Sequence, residues 1–145
     1  MQDCAGVVDG DLDAGTGGNG AILIIEDCEP LLFYLNTALL TLGYRNQHLA
    51  ANLAEAQAVW AQHKESISHI VLNYELPDGL GFGFAAAAIR ERPELNIVVT
   101  TAYDLLTVRE SPGASDRYQF LQKPFRLVEL KAAMETRALD RTFSM

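Results

Sequence analysis

A chain of 145 residues, 49% hydrophobic by a wide count and 21% charged, fits one globular domain with a sizeable core, and nothing in it suggests a second. The formal charge of −8 argues against a nucleic-acid surface, because phosphate contacts need clustered Lys and Arg and none precedes Arg45. With no apolar run near the roughly 18 residues of a membrane span and no basic-then-hydrophobic start, the expectation is a cytoplasmic protein with no membrane contact.

The first segment, 1–19, reads as a disordered acidic, Gly-rich tail. Asp3, Asp9, Asp11 and Asp13 crowd it, and it has too few large apolar groups to offset the entropy of ordering. Gly15-Thr16-Gly17-Gly18-Asn19-Gly20 matches G-x-G-x-x-G by letter but precedes the first strand, whereas a dinucleotide site needs those glycines between strand and helix. It reads as a linker. Cys4 and Cys28 have no metal-ligand spacing and read as free thiols.

The folded body is expected over 20–142. Ala21 to Ile25 is a continuous apolar run, the pattern of a strand buried on both faces of a parallel sheet, and Glu26-Asp27 stand at its carboxyl end. A helix follows over Leu31 to Leu42, started by Pro30 and stopped by Gly43. Tyr44 to Leu49 is a weak second strand. Asn52 and Glu55 suggest a capping box opening a helix to about Lys64, with Ala56, Ala58 and Trp60 on its packing face.

Ser68 to Leu72 forms the third strand and Asn73 ends it; Leu76-Pro77-Asp78-Gly79 is a turn, and Phe82 to Arg92 an alanine-rich helix closed by Pro93. Leu95 to Thr100 is the fourth strand. A helix over Asp104 to Glu110 is cut short by Pro112-Gly113. Tyr118 to Gln122 is the fifth strand, and Arg126 to Leu139 the last helix, with Leu127, Leu130, Met134 and Ala138 near one face. His48, His63 and His69 are dispersed and read as surface or boundary residues.

Strands alternating with helices imply an α/β fold, a five-stranded parallel sheet with helices on both faces. In such doubly wound sheets the functional crevice lies outside the carboxyl ends of the strands. Those ends collect Glu26 and Asp27, Asn73 followed by Tyr74-Glu75-Leu76-Pro77-Asp78-Gly79, Thr101-Ala102, and Lys123-Pro124-Phe125.

In this order and spacing the chain resembles the receiver domain of bacterial two-component response regulators, over about Ala21 to Leu139. The resemblance implies the flavodoxin-like receiver fold and a Mg²⁺ site made by Glu26, Asp27, the residue at position 73 and the Glu75 backbone carbonyl. It further implies that Thr101 and Lys123 contact a phosphoryl group, and that Phe120 is the aromatic residue that changes rotamer with the switch. Partners would be a histidine kinase, another response regulator or a downstream signalling protein. A homodimer would form through the face of helix 4, strand 5 and helix 5.

Asn73 departs from that pattern, since a carboxamide is neutral and far less nucleophilic than the carboxylate a phosphoacceptor needs. It also takes one negative charge from the metal site, so Mg²⁺ is expected to bind weakly. Lys123 is then expected to pair with Asp27 or donate to the Asn73 side-chain oxygen. The sequence supports a stand-alone, non-enzymatic receiver-like module that works without phosphorylation, through protein–protein contact. Two alternatives remain: an ordinary phosphoaccepting, Mg²⁺-dependent receiver carrying an engineered Asp-to-Asn block at position 73, and a flavodoxin-like small-molecule binder.

Overall fold

A computed structural model describes residues 20–136. The acidic tail 1–19 with its glycine run and Cys4, and the stretch beyond 136 with Ala138 and the expected boundary at 142, lie outside the described residues. The five parallel strands form one sheet. They are β1 (Ala21–Ile25), β2 (Gln47–Ala50), β3 (Ile67–Asn73) and, after a short antiparallel pair β4 (Glu75–Leu76) and β5 (Gly79–Leu80), β6 (Asn96–Thr101) and β7 (Tyr118–Gln122). The helices between them are α1 (Glu29–Thr41), α2 (Leu53–His63), α3 (Phe82–Glu91), α4 (Leu105–Arg109) and α5 (Leu127–Glu135).

The strand order is β2-β1-β3-β6-β7, and every pairing in the sheet is parallel. The chain moves outward one way from β1 to β2 and the other way through β3, β6 and β7. The topological switch point therefore falls between β1 and β3, and Asp27 and Asn73 stand at the crevice it opens.

Side-chain alternation divides the core in two. Leu23, Ile25, Ile70, Leu72, Ile97 and Val99 pack with Trp60 of α2, Phe82 and Ala85 of α3 and Val108 of α4 on one face. Ile22, Ile24, Val71 and Val98 pack with Leu35 and Leu39 of α1 and Leu130 and Met134 of α5 on the other. Burying each such Leu, Ile or Val contributes about 1.5–3 kcal/mol relative to exposure, so both faces commit the central strands to one register.

Several boundaries differ from the sequence expectation, each for a local reason. Gly43, at φ 101°, lets the Gly43 and Tyr44 amides bond back to Leu40 and Leu39 carbonyls. This Schellman motif draws Tyr44 into the end of α1, and β2 begins only at Gln47. The capping box of α2 is half made: Asn52 accepts from the Glu55 amide at 2.8 Å, but the Glu55 carboxylate accepts from Ala51 instead of Asn52. Ala56 and Trp60, one turn apart, are buried, while Ala58 is exposed. β6 is shifted one residue forward, so that Thr101 pairs with Gln122. On α5, Leu127 is 40% exposed, and Ala133 joins Leu130 and Met134 on the buried face.

His69 is a correction of another kind. It is buried, not at a boundary: Nε2 lies 3.1 Å from the Met134 carbonyl and Nδ1 2.8 Å from the Ser68 hydroxyl. The carbonyl can only accept, so Nε2 donates to it. His48 and His63, distant in sequence, stack with ring centroids 4.2 Å apart.

Candidate functional site

Four of the strand ends meet at the crevice. From β1 comes Glu26, buried, with Oε2 accepting from the Cys28 amide at 3.0 Å, followed by exposed Asp27. From β3 comes Asn73, 8% exposed, held in register by pairing with Thr100. From β6 comes Thr101, buried, and from β7 Lys123, whose amide donates to the Thr101 carbonyl at 2.7 Å.

Asn73 is the centre of this group. Its Nδ2 donates to Glu75 O at 2.8 Å and to Asp27 Oδ1 at 3.2 Å, and its Oδ1 accepts from Lys123 Nζ at 3.0 Å. The amide orientation follows from its partners. Turned over, it would set Oδ1 against two oxygens and Nδ2 against an ammonium. Lys123 also lies 3.3 Å from Glu26 Oε1, so its ion pair is with Glu26 and not with Asp27. No hydrogen bond reaches that Glu26 oxygen, which leaves the ion pair as its compensation.

The loop after Asn73 is fixed by its glycines. Gly79 has φ 143°, a conformation side chains rarely adopt, and closes the β4–β5 turn. At Gly81 a Cβ would stand 2.9 Å from the Leu72 side chain and 3.0 Å from the Asn73 carbonyl, so only glycine lets α3 start this close to the site. Asp78 turns away from the crevice and caps α2, its Oδ1 accepting from Leu53 N at 2.9 Å and Oδ2 from Ala54 N at 3.1 Å. The Leu53 bond, aided by that from Ala54, holds its carboxyl below the usual range.

The other expected residues are placed less directly. The Thr101 hydroxyl accepts from the Tyr103 amide at 2.9 Å and so is engaged in its own loop. Phe120 is half-buried, edge-on to Phe82, with the Arg109 guanidinium 5.3 Å above its ring. Its ring contacts thus reach the start of α3 and the end of α4. Nothing in the sequence marks Tyr103: its hydroxyl donates to Glu75 Oε1 at 3.0 Å, tying the loops after β3 and β6 across the mouth of the crevice. That bond and the Glu75 charge raise the tyrosine's pKa.

This geometry decides what the pocket resembles. The response regulator receiver domain family matches residues 22–135. The chain belongs to the receiver family. Among curated proteins it is similar to the transcriptional regulatory protein BasR of Escherichia coli, 37% identical over 83% of this chain and 52% of BasR. It is also similar to the DNA-binding transcriptional regulator NtrC of a Bradyrhizobium, 29% identical over 77% of this chain and 22% of NtrC. The chain thus spans about half the length of BasR and less of NtrC. Among solved structures, the non-phosphorylated HemR receiver domain of Leptospira biflexa is 28% identical with a TM-score of 0.64, covering 80% of this chain and 91% of that one. A receiver protein of Sinorhizobium medicae matches in fold with a TM-score of 0.74 at 22% identity, over 86% and 98% of the two chains. Membership of this family displaces the flavodoxin-like small-molecule binder as a reading of the chain.

The family implies Mg²⁺, and the Thermotoga maritima receiver TrrA, which shares the fold with a TM-score of 0.68 at 24% identity over 80% of this chain and 96% of that one, was solved with Mg²⁺ and beryllium fluoride. The donor set here does not fit that ion as arranged. A Mg²⁺ ion needs hard oxygens turned toward it. The Asp27 carboxylate and the Glu75 carbonyl are instead turned toward hydrogens of the Asn73 amide. Among the described residues, no helix is long and apolar enough to cross a membrane.

Proposed function

We propose that this receiver is a two-component signalling module that works by protein–protein contact and accepts no phosphoryl group at position 73. The observation that carries the reading is the amide at the end of β3: Lys123 sits on its neutral oxygen, where a reacting carboxylate would be required. The pocket residues act as fixed cross-links among β1, β3 and β7, and not as a reaction centre. Any Mg²⁺ that reaches this pocket binds weakly. Contact with a histidine kinase, another regulator or a downstream protein is the route to an effect. The 64% exposed Leu106 of α4 and 60% exposed Val128 of α5 support an apolar contact on the α4, β7, α5 face, including a homodimer. The protein is read as a cytoplasmic, non-enzymatic module.

Treatment with a small phosphodonor and Mg²⁺, followed by intact-mass measurement, should leave the mass unchanged. A phosphoryl adduct mapped to position 73, Glu75 or Asp78 would overturn the reading.

A second reading, an ordinary receiver carrying an engineered Asp-to-Asn block at position 73, is favoured by how complete the frame is: Glu26, Asp27, Thr101 and Lys123 all stand at the strand ends around that position. Under it, Asn73→Asp accepts phosphate in a Mg²⁺-dependent way and shifts the surroundings of Phe120. A variant that stays unphosphorylated removes this second reading.

A further inference from the structure

We propose that the Asn73 amide nitrogen occupies the cation position of this pocket, so that Asn73 excludes a divalent ion actively instead of merely failing to bind one. The inference rests on the reading of these strand ends as a receiver pocket. The Asp27 carboxylate and the Glu75 carbonyl converge on one point, and what sits there is a nitrogen with two hydrogens, one directed to each oxygen at 3.2 and 2.8 Å. Both hydrogens of the amide are used, and its oxygen is held by Lys123 at 3.0 Å. The side chain is therefore satisfied in this orientation alone. Lys123 in turn neutralises Glu26, the remaining carboxylate of the group, at 3.3 Å.

For Mg²⁺ to reach Asp27 and Glu75, the amide must give up both donor contacts. If it then rotates to offer Oδ1 to the ion, its hydrogens face the Lys123 ammonium, a donor against a donor. Swinging out instead breaks both donor contacts and the bond from Lys123. In both cases the ion competes with a bonded side chain. A missing ligand and a competing donor predict opposite results when the side chain is deleted. If Asn73 only supplies too little charge, removing it weakens the site further. If its amide is the occupant, removing it frees Asp27 and Glu75 for the ion.

The test is a titration with Mg²⁺ alone, at constant ionic strength, of the native chain and Asn73→Ala, followed by calorimetry or amide shifts at Asp27 and Glu75. Asn73→Ala should bind Mg²⁺ about tenfold or more tightly than the native chain, the scale of hydrogen bonds to a charged partner. Native affinity equal to or above that of the variant, including no binding by either, would overturn the proposal. Should Asn73→Ala fail to fold, the Asn73 Nδ2 protons of the native chain provide a second measurement. They should give two separate, exchange-protected signals that Mg²⁺ leaves in place; fast exchange or displacement by millimolar Mg²⁺ would overturn it. Neither outcome depends on a phosphoryl adduct, so the proposal and the phosphorylation-independent reading can fail separately.

Discussion

Strand β3 carries two buried polar residues four positions apart, and they do different work. His69, near the amino end, is enclosed by Ser68, the Met134 carbonyl and the edge of Tyr44, and ties the sheet to the end of α5. Asn73, at the carboxyl end, bonds the Asp27 carboxylate, the Glu75 carbonyl and the Lys123 ammonium, which itself pairs with Glu26. The first is a local polar cross-link with partners fixed by the fold. The second stands in a concentration of charge that the core does not need. What a buried polar side chain means in this fold follows from which end of the strand bears it.

The two poles should therefore respond differently to deletion. His69→Ala leaves the Met134 carbonyl without its donor and opens a cavity, and should cost roughly 2–4 kcal/mol in urea unfolding. Asn73→Ala keeps the Lys123–Glu26 pair and should cost about 1 kcal/mol. Equal losses at the two sites would break the distinction. Asn73→Asp sharpens it. A third carboxylate beside Glu26 and Asp27 should lower stability in chelator and make it rise with added Mg²⁺, a dependence the native chain should lack.

A smaller effect is expected at the stacked His48–His63 pair. Burial, and then the charge of His63, lower the His48 pKa. The unfolded chain therefore takes up this proton at a higher pH than the folded one. Stability is full above the unfolded value, about 6.5, and is lost as pH falls through it toward the folded pKa. His63→Gln removes the charge but not the burial, so His48 should titrate higher by NMR, though still below an exposed histidine. An unchanged titration would mean that the stacking carries no electrostatic coupling.

The smallest effect is expected at Asp78, whose folded pKa is lowered by the Leu53 and Ala54 amides. Its contribution is present above the unfolded carboxylate value, about 3.9, and fades as pH falls through the lower folded value. Asp78→Asn should flatten that acid limb and speed hydrogen exchange at the start of α2, without altering the crevice. Chemical-shift changes at Lys123 in this variant would show that the two regions are coupled.

Most of the fold was legible in the sequence, because both faces of the sheet write their demands into the strands: Ala21–Ile25 and Ile70–Leu72 are apolar at every position, as burial on two sides requires. The crevice was legible too, since strand ends are fixed once the strands are. Its wiring was less so. Glu26 and Asp27 are adjacent and chemically alike, and only the turn of β1 decides that Glu26 faces inward to Lys123 while Asp27 meets the amide. The Asp78 cap, the Tyr103–Glu75 bridge and the burial of His69 each join segments far apart in sequence, and composition carries no trace of such pairings.

Position 73 leaves this receiver without a reacting carboxylate. Adding Mg²⁺ with beryllium fluoride, a phosphoryl mimic, while recording amide spectra of the native chain tests it most directly. Thr101, Phe120 and Lys123 should keep their shifts. Saturable shifts at those three residues, spreading through β6, α4 and β7, would contradict it.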